Sequence, residues 1–550
     1  MRRLSAVLLS TIILTSFVQA EDAKLAVTLG PNAAAWQIGP YQGKIDAVAI
    51  DGDGRPASAI GPNGLVVTSA GPIAKDTEVF VRFRITLPKG QLSGLNLVAG
   101  QKKADDSAAN ALGLQLHVRP TAESEAVTWT LSPMPGEKQG VAGNYTARTL
   151  PANRLLMPEM TRRRIEQDYA AEPTLTKRWL TLRYELRKNA ARVWLDGRLL
   201  REARHPEIDT TGFVRLHLWN GIQLAEVALR DLPPEDARFQ TVELGHDLNT
   251  AQFKGEAVKR ESLPAAGKPV TVGGVPFVLP APDERGRTHI DLKPSWLRCG
   301  LVEGSWDPAY GDLARWTGAL DRDPGRIQFR VPNGQYTKLH LLAAFTGEAD
   351  TTPVVTAQFY RESAGHPVNF TGKVPAYTAA SPASLPLQLA SGTKGNLHLV
   401  TIPLEPNGPA AFSNQQHLEF ELTKEVRIYR AFPDPNYYSM HGAGLPSGVH
   451  VYGVTLERPA VEVDFQPDQV AHIWTAPVQP SYITKLKNTT AAAQPVNLEL
   501  TTTSHDGSEK TVVRQTVQLA PDASQSVKLA LALKRHGSVS HVPFVMGEVA

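Results

Sequence analysis

The chain has 550 residues, with 57 Lys and Arg against 54 Asp and Glu and no block of like charge. That balance argues against nucleic acid and anionic membrane surfaces as partners, since both are recognised by clustered cations. The single cysteine, Cys299, excludes an internal disulfide and any cysteine-rich metal site, and it reads as a small buried apolar residue.

Taken in order, Arg2 and Arg3 precede an apolar run over residues 6–18, and Val18-Gln19-Ala20 offers a cleavage site. Residues 1–20 therefore read as a secretory signal peptide, the run being short for a membrane span. The mature chain is expected to be secreted or periplasmic, free of the membrane and monomeric. Its 43 glycines and 42 prolines are spread throughout, with short alternating apolar runs between them. That pattern predicts an all-β chain of tandem antiparallel β-sandwiches.

The first unit is expected over residues 22–235, with strands at 79–87, 95–98, 112–118 and 127–131. Residues 133–173 interrupt the rhythm and read as an insertion over one edge or face of the sandwich. Pro158-Glu159 there opens a predicted short helix. Residues 179–229 organise the unit. Leu180, Leu182, Tyr184 and Leu186 alternate with polar residues, Val193 and Leu195 resume the run, and Asp196-Gly197 supplies a tight hairpin. Further strands at 214–218 and 224–229 complete what reads as one meander. Trp194 is out of phase with Val193 and Leu195, so it faces away from their core, where the insertion is expected to cover it. Pro233-Pro234 ends the unit.

A second sandwich is expected over 238–458, its strongest strands at 336–345, 354–360, 398–404, 426–429 and 449–456. A third module is expected over 459–536, with strands at 482–486, 496–500, 511–519 and 526–533. Residues 537–550 read as a linker or the start of a further domain, which predicts that a catalytic domain follows Ala550. Asn144, Asn369 and Asn488 each begin a glycosylation sequon, a pattern idle in most bacteria.

Trp179-Leu180-Thr181-Leu182, Val193-Trp194-Leu195-Asp196-Gly197 and Gly212-Phe213-Val214-Arg215-Leu216 resemble a concanavalin-A-like (LamG-type) jelly roll. Gly273-Gly274-Val275-Pro276-Phe277 and residues 336–344 are similar to galactose-binding-like modules, and the third module resembles an immunoglobulin-like spacer. The resemblance implies N-terminal accessory regions of large secreted bacterial glycoside hydrolases, with a polysaccharide or oligosaccharide as partner. Fold alone does not fix an activity.

Glycoside hydrolysis needs two carboxylates about 5–10 Å apart, and no E-x-D-x-x-E strand pattern is present. Asp51-Gly52-Asp53-Gly54 reads as a solvated turn; its acid spacing suits calcium, but the further oxygen ligands are missing. Glu462-Val463-Asp464 reads as a solvated strand face. None of the 15 histidines forms an H-E-x-x-H pattern, and His246 and His340 read as polar residues at strand ends. No metal or cofactor is expected.

Aromatic rings flanked by hydroxyl-binding side chains suit a sugar, which has an apolar C–H face and a polar rim. Residues 296–316 gather Trp296, Trp306, Asp307, Tyr310, Asp312 and Trp316, and make the leading carbohydrate-binding candidate. Trp129, Trp219 and Asn220 form a second group in the first unit. The leading reading is a secreted, non-catalytic, polysaccharide-binding chain. Two others stand beside it: the first sandwich as itself a glycoside hydrolase, and a structural or adhesive surface protein.

Overall fold

A computed structural model describes most of residues 34–533. The stretches it leaves undescribed include 1–33, 51–55, 102–111, 133–140, 150–178 apart from Glu159 and Arg163, 293–325, 405–422, 431–447 and 534–550. The described residues are all-β, built from antiparallel sheets, and among them no helix is long and apolar enough to cross a membrane.

The first unit runs through β1 (Trp36–Ile38), β2 (Asp46–Ile50), β3 (Pro56–Ala59), β4 (Leu65–Ser69), β5 (Thr77–Ile85), β6 (Ser93–Gln101) and β7 (Leu112–Pro120). It continues with β8 (Ser124–Leu131), β9 (Val141–Thr149), β10 (Leu180–Arg187), β11 (Ala190–Leu195), β12 (Arg198–Arg204), β13 (Phe213–Leu218) and β14 (Ile222–Asp231). Two seven-stranded sheets result. The front sheet has the order β1-β4-β13-β6-β7-β8-β9, and the back sheet β12-β11-β10-β5-β14-β3-β2. The inward half of each alternating strand fills one core, from Phe83, Val81 and Tyr184 to Leu97, Leu116 and Leu216.

The hairpin after β11 forms as expected: Asp196 and Gly197 both take positive φ (51° and 77°), which matches the twist of the strands they join. The meander does not hold beyond β12. Leu180 to Arg204 do pair in sequence, but β13 crosses to the front sheet and β14 returns to the back one. Part of the predicted insertion is also a strand, since β9 pairs with β8 and extends the front sheet by one edge. Of the predicted helix only Glu159 and Arg163 are described, both helical and joined by an exposed ion pair one turn apart.

The outer face of the back sheet is charged, and much of it, Glu78, Glu185, Arg187 and Arg192 included, is buried. Arg183 binds Glu78 (2.5 Å) and Glu185 (2.9 Å), Arg192 binds Glu202 (2.9 Å), and Arg230 binds Glu226 (2.7 Å). Trp194 lies on this face, as its phase predicts, paired across strands with Arg183, whose guanidinium stands 5.5 Å over the indole. Trp179 holds Arg84 similarly at 4.7 Å. Arg183 also reaches Glu243, beyond the end of the sandwich. Burial works against the Arg183 charge, but Glu243, Glu78 and Glu185 overcome it and raise its pKa further. The Tyr336 hydroxyl is pushed up by burial against the opposing Arg458 charge, and it also feels Glu202 and Arg192. The back sheet thus packs against the following residues.

In that following unit a central sheet orders Phe239–Val242, Val449–Glu457, Lys338–Phe345, Lys394–Pro403 and Ser384–Gln388, with Ile290–Leu292 also on Val449–Glu457. Arg326–Phe329, Thr423–Arg430, Val354–Arg361 and Val368–Lys373 form the opposing sheet over one core. The far face of the central sheet carries a second core around Phe253, Phe277, Tyr377 and Tyr452, closed by two small hairpins. Every residue of Val449–Glu457 is therefore buried, which explains why that run shows no alternation.

Residues 461–533 hold a three-stranded sheet (Val461–Pro467, Ser481–Asn488, Ser524–Ala530) and a two-stranded one (Gln494–Thr503, Lys510–Leu519) around a small core. Asp468 fastens one end, accepting hydrogen bonds from Ser481 and from Trp474 Nε1 (2.7 Å), with Lys528 at 3.0 Å; these hold its carboxyl down to about 2. Glu462 and Asp464 face Lys487 (3.9 Å) and Lys485 (3.4 Å) across strands. They are cross-strand ion pairs, in keeping with a half-exposed face.

Candidate functional site

Alternation along the front sheet sends even-numbered residues of β13 into the core and odd-numbered ones outward, and the reverse holds along β6. Register then assembles a row across five strands. His217 lies between Val66 and Asn96, Asn96 opposes Gln115, and Gln115 opposes Thr130. Arg215 and Trp219 flank His217 along the chain, and His117 stands two residues beyond Gln115 on the same face. The His117 and Trp219 rings meet at 4.8 Å between centroids, tilted by 43°. Gln115 is exposed, while Asn96, His117, Arg215, His217 and Trp219 are half-buried.

Three polar atoms on this face are buried without a hydrogen-bond partner among the described residues: Asn96 Oδ1, His117 Nε2 and Trp219 Nε1. Buried polar groups are normally paired, and such an atom also occurs on the back sheet, at Trp194 Nε1, so the face is defined by its outward amide, imidazole and indole side chains as a set. The amides accept and donate, the indole donates, and each neutral imidazole does one of each. Burial, and next the Arg215 charge, lowers the His217 pKa, which favours its neutral form near pH 7. Gly64, with φ at +72°, brings the start of β4 against the His217 ring, where a side-chain carbon would lie 3.0 Å from Nε2. No described side chain at the outward strand positions of this face is a carboxylate. The described outward positions therefore hold no pair of acids.

The predicted residues divide clearly. Trp296, Trp306, Asp307, Tyr310, Asp312 and Trp316 lie outside the described residues, as do Asp51-Gly52-Asp53-Gly54, Cys299 and His246. Trp129, 4% exposed, spends its ring on the core. Trp219 and Asn220 stand at the edge of the assembled face; the Asn220 carbonyl accepts from Ser93 Oγ at 2.6 Å. Sequence reasoning missed Asn96, Gln115, His117, Arg215 and His217. The available signal was their placement at alternate positions of three strands, β6, β7 and β13, whose outward residues include no Asp, Glu or Lys.

Elsewhere, His340 sits inside a strand and contacts Glu457 at 2.8 Å and Thr401 at 3.0 Å. No group of three or more His, Cys, Asp or Glu suited to a metal occurs among the described residues.

No protein-family model and no curated protein matches the chain. Solved structures similar to part of it include the carbohydrate-binding module CBM66 from Bacillus subtilis, at 12% identity over 36% of this chain and 96% of that one, with a TM-score of 0.21. A Bacillus licheniformis beta-glucanase is 10% identical over 37% and 94% of the two chains, with a TM-score of 0.24. The laminarinase catalytic domain from Thermotoga maritima is 12% identical over 37% and 94%, with a TM-score of 0.25. Scores this low establish no relationship, and the site stands on its own side chains.

Proposed function

We propose that the chain is a carbohydrate-associated, non-catalytic protein whose first sandwich grips a saccharide on the outer face of its front sheet. The observation carrying this reading is the row of outward polar side chains, Asn96, Gln115 and His217, that strand register assembles beside the paired rings of His117 and Trp219. A sugar meets both needs at once, since its hydroxyls donate and accept while its C–H face lies on a ring. The lack of any carboxylate on the described face favours binding over hydrolysis there.

In this reading the chain is secreted, residues 238–458 form a second sandwich and 459–536 an immunoglobulin-like spacer, and both support the first unit. Residues 296–316 offer a second contact through Trp306. The test is affinity electrophoresis of residues 21–550 in gels containing soluble polysaccharides, repeated with Trp219→Ala, His117→Ala and Trp306→Ala. Retention by at least one polymer, weakened at least tenfold by Trp219→Ala, supports the front-sheet site. Retention unaffected by the Trp219 and His117 changes but lost with Trp306→Ala moves the site to the 296–316 stretch. No retention by any polymer defeats the carbohydrate reading.

A further inference from the structure

We propose that the saccharide recognised by the front sheet is acidic, a uronate whose carboxylate is taken by Arg215. This inference rests on the saccharide reading above. Arg215 lies on β13, third of the seven strands, with Thr68 on one side and Val98 on the other. It is half-buried and has no hydrogen bond or ion pair with the described residues.

On the back sheet the arginines are engaged, Arg84 by the Gln223 amide oxygen and others by acids. Arg183, Arg187, Arg192 and Arg230 each have carboxylate partners. Arg215 differs, and no carboxylate occupies a described outward position near it. Asp209, at the end of the front sheet, is already engaged by the backbone N–H and hydroxyl of Thr211. Among the described residues the charge that bears on His217 is that of Arg215, which adds to burial in keeping the imidazole neutral. A positive charge, uncompensated by the described residues of the face, thus meets hydroxyl-binding amides and a flat ring.

A carboxylate fits this arrangement better than a sulfate ester. The planar guanidinium matches a carboxylate through two parallel hydrogen bonds. A single guanidinium among amides and neutral imidazoles suffices for one such group, whereas a sulfated chain is better held by a cluster of cations. Asn96 lies beside Arg215 for hydroxyls of the same sugar, while Gln115 and the Trp219 ring, the latter four residues from Arg215 along an extended strand, remain for neighbouring sugars of the polymer.

The experiment measures binding of residues 21–550 to polygalacturonate and polyglucuronate, each against its neutral methyl ester, with dextran sulfate and neutral glucans alongside. The expected result is preference for the acid over its ester by about 10- to 100-fold, the range of one charge-assisted hydrogen-bonded pair. Arg215→Gln should abolish that preference, and Arg215→Lys should restore part of it. An unchanged urea midpoint shows that each variant folds; if Arg215→Gln does not fold, Arg215→Lys alone must weaken the acid preference. Equal binding of acid and ester, or preference for dextran sulfate, overturns the uronate assignment and leaves the saccharide reading standing. A preference for the acid that survives Arg215→Gln also overturns it. Failure to bind any polymer, neutral or acidic, removes both.

Discussion

Gly64→Ala tests the front face through a single added methyl. Gly64 holds φ at +72°, and the new carbon would lie 2.6 Å from the Leu218 carbonyl oxygen and 3.0 Å from His217 Nε2. The left-handed backbone costs an alanine about 1–2 kcal/mol. Crowding against a backbone atom in a packed sheet adds about 1–3 kcal/mol, because β4 and β13 are hydrogen-bonded neighbours that can separate only by losing ladder bonds. The sum is at least about 2 kcal/mol, roughly a thirtyfold fall in the folded-to-unfolded ratio. The same displacement pushes the His217 ring, so saccharide affinity should fall even where the variant is fully folded. Urea denaturation followed by tryptophan fluorescence reads the first effect, and affinity electrophoresis reads the second. Gly71→Ala is the control, since nothing lies within 4 Å of its added carbon and its φ is not positive. A Gly64→Ala chain with unchanged midpoint and unchanged binding would refute the geometry assigned to β4 and β13.

Other consequences follow from the buried charges. His289 donates to or accepts from His450 and Thr288 at 3.0 Å each and stacks on Tyr452 at 4.3 Å; burial, then His450, lowers its pKa well below the usual histidine value. The unfolded chain then binds more protons once pH drops below about 6.5, so stability present at neutral pH is lost toward the folded-state pKa at up to about 1.4 kcal/mol per pH unit. Hydrogen exchange at residues 290–292 and 449–457, corrected for intrinsic rates, should show that slope, and His289→Gln should reduce it; an unchanged slope counts against the buried neutral imidazole. Arg183→Met should cost about 3 kcal/mol by leaving Glu78 and Glu185 under-compensated, while Glu243→Gln, on a half-exposed partner, should cost no more than about 1 kcal/mol. Equal urea midpoints for the two variants would contradict the buried network. Asn488 is fully buried, its amide nitrogen donating to the Ala492 and Ala520 carbonyls and its oxygen accepting from Thr490. Asn488→Ala should destabilise its unit by about 2–3 kcal/mol, read from Trp474 fluorescence; no shift would show those bonds to be dispensable. This burial also leaves no room for a glycan at that sequon in the folded chain.

Strands announced themselves where one face meets a core and the other meets polar surroundings, as in β5, β10 and β13. The Asp196-Gly197 turn was legible because few dipeptides accept positive φ at both positions. The crossing of β13 between sheets was not, since alternation tells which residues point inward but not which sheet receives the strand. Short strands such as Ser384–Gln388, with Pro386 inside it, and Val368–Lys373, with Gly372, carry too little pattern to stand out. At the front face only Trp219 and Asn220 drew attention, because indoles are conspicuous. Asn96, Gln115, His117, Arg215 and His217 look like ordinary outward residues one strand at a time, and only cross-strand register brings them into one row.

The front-face claim is tested most directly by hydroxyl-radical footprinting of residues 21–550 with and without a retained saccharide. Binding there predicts protection of Trp219 and His117, with Trp179 and Trp194 on the back sheet unchanged. Saturating saccharide that leaves Trp219 and His117 as reactive as before would contradict it.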